Sequence, residues 1–130
     1  MADRKRVLVI EDEEPFAKLY GLKLNQEGID AVLAFDGDEG LGKLLAEHFD
    51  LVLLDLMLPK HDGFWLLEER KKYTGIAKVP VIVLSNLGQK EDIMRAKGLG
   101  AVDYIVKSDS SIQQIIDMAK RQLALSESQK

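Results

Sequence analysis

Cysteine is missing from all 130 residues, which excludes a disulfide framework, a thiolate metal site and a cysteine nucleophile, and suits a reducing cytosol. Proline occurs only 3 times, and no Pro-, Gly- or Ser-rich stretch marks an interdomain linker. No apolar run approaches the roughly 20 residues needed to cross a bilayer. The opening Met1-Ala2-Asp3-Arg4-Lys5-Arg6 is not followed by a signal-peptide hydrophobic region, so a soluble cytoplasmic protein is expected. Positive charge is also in deficit: 18 Lys and Arg against 22 Asp and Glu leave a net charge of −4. Unaided electrostatic binding to nucleic acid or to an anionic membrane is therefore not expected. What remains, 46% hydrophobic and 31% charged, is enough for one compact domain over 1–130, with a core over about 4–125 and polar tails.

Five short apolar runs recur, at 7–10, 29–34, 51–54, 79–84 and 102–106. The runs Val-Leu-Val-Ile, Leu-Val-Leu-Leu and Val-Ile-Val-Leu lack polar alternation, as expected of interior parallel strands covered on both faces. Helical periodicity lies between and after them: Phe16, Leu19, Tyr20 and Leu24; Leu41, Leu44 and Leu45; Phe64, Leu67 and Arg70; and clearest, Ile112, Ile115, Ile116, Ala119 and Leu123. Pro15 suits a first helical turn, Asp36, Asp62 and Ser111 suit N-terminal caps, and Gly28 and Gly98 suit helix ends. The alternation is (βα)5, an open, doubly wound parallel sheet with helices on both faces.

In such a sheet, functional groups gather beyond the carboxyl ends of the strands. After the first run come Glu11, Asp12, Glu13 and Glu14; after the third, Asp55; after the fourth, Ser85 and Asn86; after the fifth, Lys107 and Ser108. Four carboxylates in the first loop would repel a nucleotide phosphate, and neither G-x-G-x-x-G nor G-x-x-x-x-G-K-[ST] occurs. Glu11, Asp12 and Asp55 would instead suit a hard divalent cation, with Mg²⁺ fitting best because it needs few carboxylates and keeps its waters. Taken singly, each residue has a plainer reading: an acidic first helical turn, a strand-end cap at Asp55, a turn at Ser85, a surface charge at Lys107.

Taken together, these residues resemble the receiver domains of bacterial response regulators, of the single-domain, chemotaxis-regulator-like kind. The likeness rests on the Glu11-Asp12 pair, on a D-x-x-x-P-x-x-D-G run from Asp55 to Gly63, on Ser85, on Gly100-Ala101-x-Asp103-Tyr104, and on Lys107. It implies a flavodoxin-like sheet in the order 2-1-3-4-5, and a phosphoacceptor, Asp55, that takes a phosphoryl group from a histidine kinase or phosphotransfer protein. Glu11, Asp12, Asp55 and the Met57 backbone carbonyl would hold Mg²⁺, and Lys107 would neutralise a phosphoryl oxygen. Ser85 would donate its hydroxyl to the phosphoryl group and Tyr104 would rotate into the space vacated, although core packing is an equal reading of Tyr104. Met57 and Leu87 occupy the positions that resemble the family's gates to attacking water; both are apolar, so slow self-dephosphorylation is expected. The implied product is a signalling switch rather than a turnover enzyme, with pairing into a homodimer through 89–125 as one consequence and a downstream protein as its target.

Four residues depart from the family pattern. Glu11 replaces a more frequent aspartate, Asn86 a small residue, His61 an apolar one, and Ser108 the proline that usually follows the lysine through a cis bond. His61 is expected to face solvent rather than a metal. A non-proline cis bond costs about 2.5 to 4 kcal/mol, so either the bond is trans and this loop differs, or the fold absorbs the strain. A haloacid-dehalogenase-like phosphohydrolase is the enzyme alternative, but it requires a second acid two residues after the nucleophile, where Met57 stands. A degenerate receiver acting as a scaffold is the third reading.

Overall fold

A computed structural model describes residues 4–128; the readings made above on residues 1–3 and 129–130 lie outside the described residues. The elements are β1 (Arg6–Ile10), α1 (Glu14–Gln26), β2 (Asp30–Ala34), α2 (Gly37–Ala46), β3 (Leu51–Leu54), α3 (Gly63–Arg70), β4 (Val81–Ser85), α4 (Lys90–Gly98), β5 (Asp103–Val106), a 3₁₀ turn (Lys107–Asp109) and α5 (Ile112–Ser128). The strands are parallel in the order β2-β1-β3-β4-β5, the flavodoxin-like arrangement. The three runs without polar alternation, β1, β3 and β4, are the interior strands, and every residue of β3 and β4 is buried.

Side chains alternate across each strand, so the sheet separates two apolar layers. Val7, Val9, Leu51, Leu53, Ile82 and Leu84 pack with Tyr20 and Leu24 of α1 and with Ile115, Ile116, Ala119 and Leu123 of α5. On the other face Leu8, Ile10, Val52, Leu54, Val81 and Val83 meet Leu44 of α2, Phe64, Leu66 and Leu67 of α3, and Ala96 of α4. Because Ala96 is the one buried residue of α4, that helix carries no apolar stripe for sequence periodicity to detect.

The caps lie where the sequence puts them. Asp36 Oδ1 accepts from the Glu39 amide at 2.7 Å, Asp62 Oδ1 from that of Trp65 at 2.9 Å. Ser111 and Gln114 form a reciprocal capping box, with Gln114 N to Ser111 Oγ at 3.1 Å and Ser111 N to Gln114 Oε1 at 2.8 Å. Gly28 closes α1 at φ 80°, but α4, whose last residue is Gly98, is closed by a left-handed Gly100 at φ 106°. Arg70, only 4% exposed, ends α3 by donating to the carbonyls of Ala77 and Gly100, which ties that helix to the approaches of β4 and β5. In the run at 79–84 the strand itself starts at Val81; Pro80 has no amide to donate and joins β3 only through its carbonyl, which accepts from Val52 N at 2.9 Å.

Before β3, Asp50 Oδ2 accepts the Arg6 amide at 2.8 Å, and Oδ1 lies 3.0 Å from His48 Nε2. Burial opposes its charge, but these two partners hold its carboxyl below the usual range. Such a group stabilises the fold above the ordinary aspartate pKa of about 4 and loses that contribution as pH falls through its own lower value. Asp50→Asn should therefore destabilise most at neutral pH, with the deficit shrinking toward about pH 3; urea melts at the two pH values measure it.

Candidate functional site

The sheet reverses its order between β1 and β3, whose registered pairs end at Ile10 and Leu54. The next residues of the two strands, Glu11 and Asp55, are therefore neighbours at the carboxyl edge, where ligands of open α/β sheets bind. The Asp55 amide donates to the Ile10 carbonyl at 3.0 Å, fixing the position. After β5 the 3₁₀ turn places Lys107 over both acids: Nζ lies 2.5 Å from Glu11 Oε1 and 2.9 Å from Asp55 Oδ2, with side chains 8%, 2% and 5% exposed. The free Asp55 oxygen, Oδ1, accepts the Met57 amide at 3.0 Å. Gly63, the last residue of the D-x-x-x-P-x-x-D-G run, sits against this loop so closely that a Cβ would lie 2.5 Å from the Asp55 carbonyl oxygen.

Burial, then the neighbouring Asp55 carboxylate, pushes the Glu11 carboxyl up to about 8 against the pull of Lys107. Asp55 moves the other way: burial opposes its charge, yet the neighbouring Glu11, Lys107 and the Met57 amide hold it below the usual carboxylate range. The two acids titrate as a pair in which Asp55 carries the negative charge. Lys107 resists the downward push of burial because the two carboxylates hold its proton.

Ligand oxygens of Glu11, Asp12 and Asp55 lie within 4.8 Å of one another. Glu11 Oε2 is buried without a hydrogen-bond partner, an arrangement that costs free energy unless a cation or donor comes to it. Asp12 is exposed at the rim. An all-oxygen donor set with one orphaned carboxylate oxygen fits a hard divalent ion.

A second group adjoins the first. Ser85, fully buried at the end of β4, accepts the Leu87 amide on Oγ at 3.3 Å, while Tyr104 Oη donates to the Leu87 carbonyl. Burial raises the Tyr104 hydroxyl to about 12, aided by the Asp92 charge. Tyr104 is half-buried against the core, as its packing reading expects, and its hydroxyl also reaches the loop after β4. Met57 is 56% exposed at the rim, whereas Leu87 is partly buried against the core. His61 is half-exposed but partnered: Nδ1 lies 2.8 Å from Asp38 Oδ1, and the ring stacks on Trp65 at 4.0 Å. The Lys107–Ser108 peptide is trans, since no cis bond occurs among the described residues. The sequence names only the Met57 carbonyl as a contact; the hydrogen bond from its amide to Asp55 Oδ1 depends on a loop conformation that residue types do not specify.

The family described as response regulator receiver domain matches residues 7–120. A transcriptional regulatory protein of Streptococcus agalactiae, DltR, is 43% identical over 102 residues, 78% of this chain and 45% of that protein. The chain thus spans less than half the length of such curated relatives. Among solved structures, the receiver domain of Francisella response regulator 1452 is 32% identical with TM-score 0.85, covering 98% of this chain and 100% of its own. A CheY-like response regulator receiver domain protein from Methanospirillum hungatei is 26% identical with TM-score 0.90, again over 98% and 100%.

Proposed function

Because the chain belongs to the response regulator receiver domain family of two-component signalling systems, we propose that Asp55 accepts a phosphoryl group from a partner histidine kinase or phosphotransfer protein. The observation that carries this reading is the buried, charged Asp55 held against Lys107 at the sheet's carboxyl edge. An Asp55 carboxylate oxygen attacks phosphorus, the P–N bond to the donor imidazole breaks with its electrons going to that nitrogen, and an acyl phosphate forms. Lys107, 2.9 Å from Asp55 Oδ2, would neutralise a phosphoryl oxygen there with little reorganisation. Glu11, Asp12, Asp55 and the Met57 carbonyl would hold Mg²⁺, which when bound offsets the negative charge of the phosphoryl oxygens.

Two hydrogen bonds then report the modification. As Ser85 turns its hydroxyl toward the phosphoryl group it gives up the Leu87 amide, and Tyr104, bonded to the Leu87 carbonyl, follows the loop inward. The surface over 89–125 changes shape and selects a downstream protein or a second copy. Met57 and Leu87 act as apolar gates that hold no attacking water. The domain is thus a switch rather than a turnover enzyme, working in the cytoplasm where its kinase presents phosphohistidine.

The test is incubation with acetyl phosphate and Mg²⁺, read by intact mass. One phosphoryl group should appear, persist after donor removal, and fail to appear with chelator. No mass gain in saturating Mg²⁺ would overturn the reading.

A further inference from the structure

Two of the four residues that depart from the family pattern, far apart in sequence, meet in the structure. Asn86 Oδ1 accepts the backbone amide of Ser108 at 3.1 Å, joining the loop after β4 to the turn after β5. The bond needs both departures, because a proline at 108 has no amide hydrogen and a small residue such as alanine or glycine at 86 has no side-chain acceptor. It also meets a local need. The first amides of a helical turn lack acceptors within it, and Val106, which precedes the 3₁₀ turn, provides no side-chain cap. Asn86 caps that turn from another loop.

The residues on either side of this bond make it relevant to the site. Ser108 directly follows Lys107, whose ammonium holds Glu11 and Asp55; Asn86 directly follows Ser85. The turn's own closing bond, Ser110 N to Lys107 O, is long at 3.3 Å, so the Asn86 contact is the shorter restraint on the backbone that carries the lysine. We propose that Asn86 is a positioning residue that sets Lys107 over Asp55 by holding the Ser108 amide, and so replaces the conformational restraint that proline would impose. This rests on the reading of Asp55 as phosphoacceptor. It also gives the chain a coupling between its two loops: movement of Ser85 toward a phosphoryl group pulls on the turn that bears the lysine.

The test combines amide hydrogen exchange with a mutant cycle on phosphoryl uptake from acetyl phosphate. Asn86→Ala should speed exchange at the Ser108 amide and slow uptake about fivefold, the size expected for one ordinary hydrogen bond felt in the transition state. In a Ser108→Ala background, which keeps the amide, Asn86→Ala should still cost about fivefold; in Ser108→Pro it should cost nothing further. An effect of Asn86 exerted through any other contact would not depend on whether residue 108 carries an amide hydrogen. Unchanged Ser108 exchange in Asn86→Ala, or an undiminished rate loss in the Ser108→Pro background, overturns the proposal. The exchange measurement needs neither Ser108→Pro nor phosphorylation. Failure of the receiver reading shows separately, as a parent protein that gains no phosphoryl mass.

Discussion

Asp55→Asn is expected to abolish phosphoryl uptake, a loss of at least about a thousandfold, as follows when the nucleophile itself is removed. Asparagine is nearly isosteric and its side-chain oxygen can still accept the Met57 amide, so the loop after β3 keeps its shape. Lys107 keeps its contact with Glu11 Oε1 and is not left without a partner in the interior. The variant should therefore melt no lower than the parent while gaining no mass from acetyl phosphate with Mg²⁺. Uptake at the parental rate would move the acceptor to another side chain.

The second large effect separates two neighbouring acids. Glu11→Gln and Asp12→Ala should each weaken Mg²⁺ binding at least about tenfold to a hundredfold, since ligands count for no less than the groups that orient them. Their effects on the metal-free fold should differ. Asp12 is exposed, and its loss should change stability by less than about 0.5 kcal/mol. Glu11 is buried with an unpartnered oxygen beside a second carboxylate, and its neutral analogue should stabilise by about 1 kcal/mol or more. Urea melts with and without Mg²⁺, with Trp65 fluorescence for the titration, measure both. A Glu11→Gln protein with parental Mg²⁺ affinity would remove Glu11 from the metal site.

The three interior strands were legible because their residues are apolar on both faces, and the caps because Asp36, Asp62 and Ser111 are chemically suited to one position. Helix α4 was implied only by the alternation of elements, since a helix that buries a single alanine leaves no periodic trace. Arg70 was legible as part of the α3 stripe but not as buried, because its partners are backbone carbonyls, which every sequence contains. At the candidate site, residue types indicated Glu11, Asp12, Asp55 and Lys107, and the strand ends brought them together. The Asn86 to Ser108 contact was visible only as two unrelated departures. A hydrogen bond from a backbone amide to a distant side-chain oxygen leaves no pattern in either segment.

At Gly63 the chain's chemistry depends on an atom that is missing. A Cβ there would lie 2.5 Å from the Asp55 carbonyl oxygen and 2.7 Å from the Leu56 Cα, both backbone atoms that cannot rotate aside as a side chain would. Relief would require shifting either the start of α3 or the peptide that carries the proposed phosphoacceptor, and reaction geometry that slips by about 1 Å can cost a hundredfold in rate. The tolerance on the Asp55 carboxylate is thus held from below, by the fit of a bare helix terminus against its own main chain.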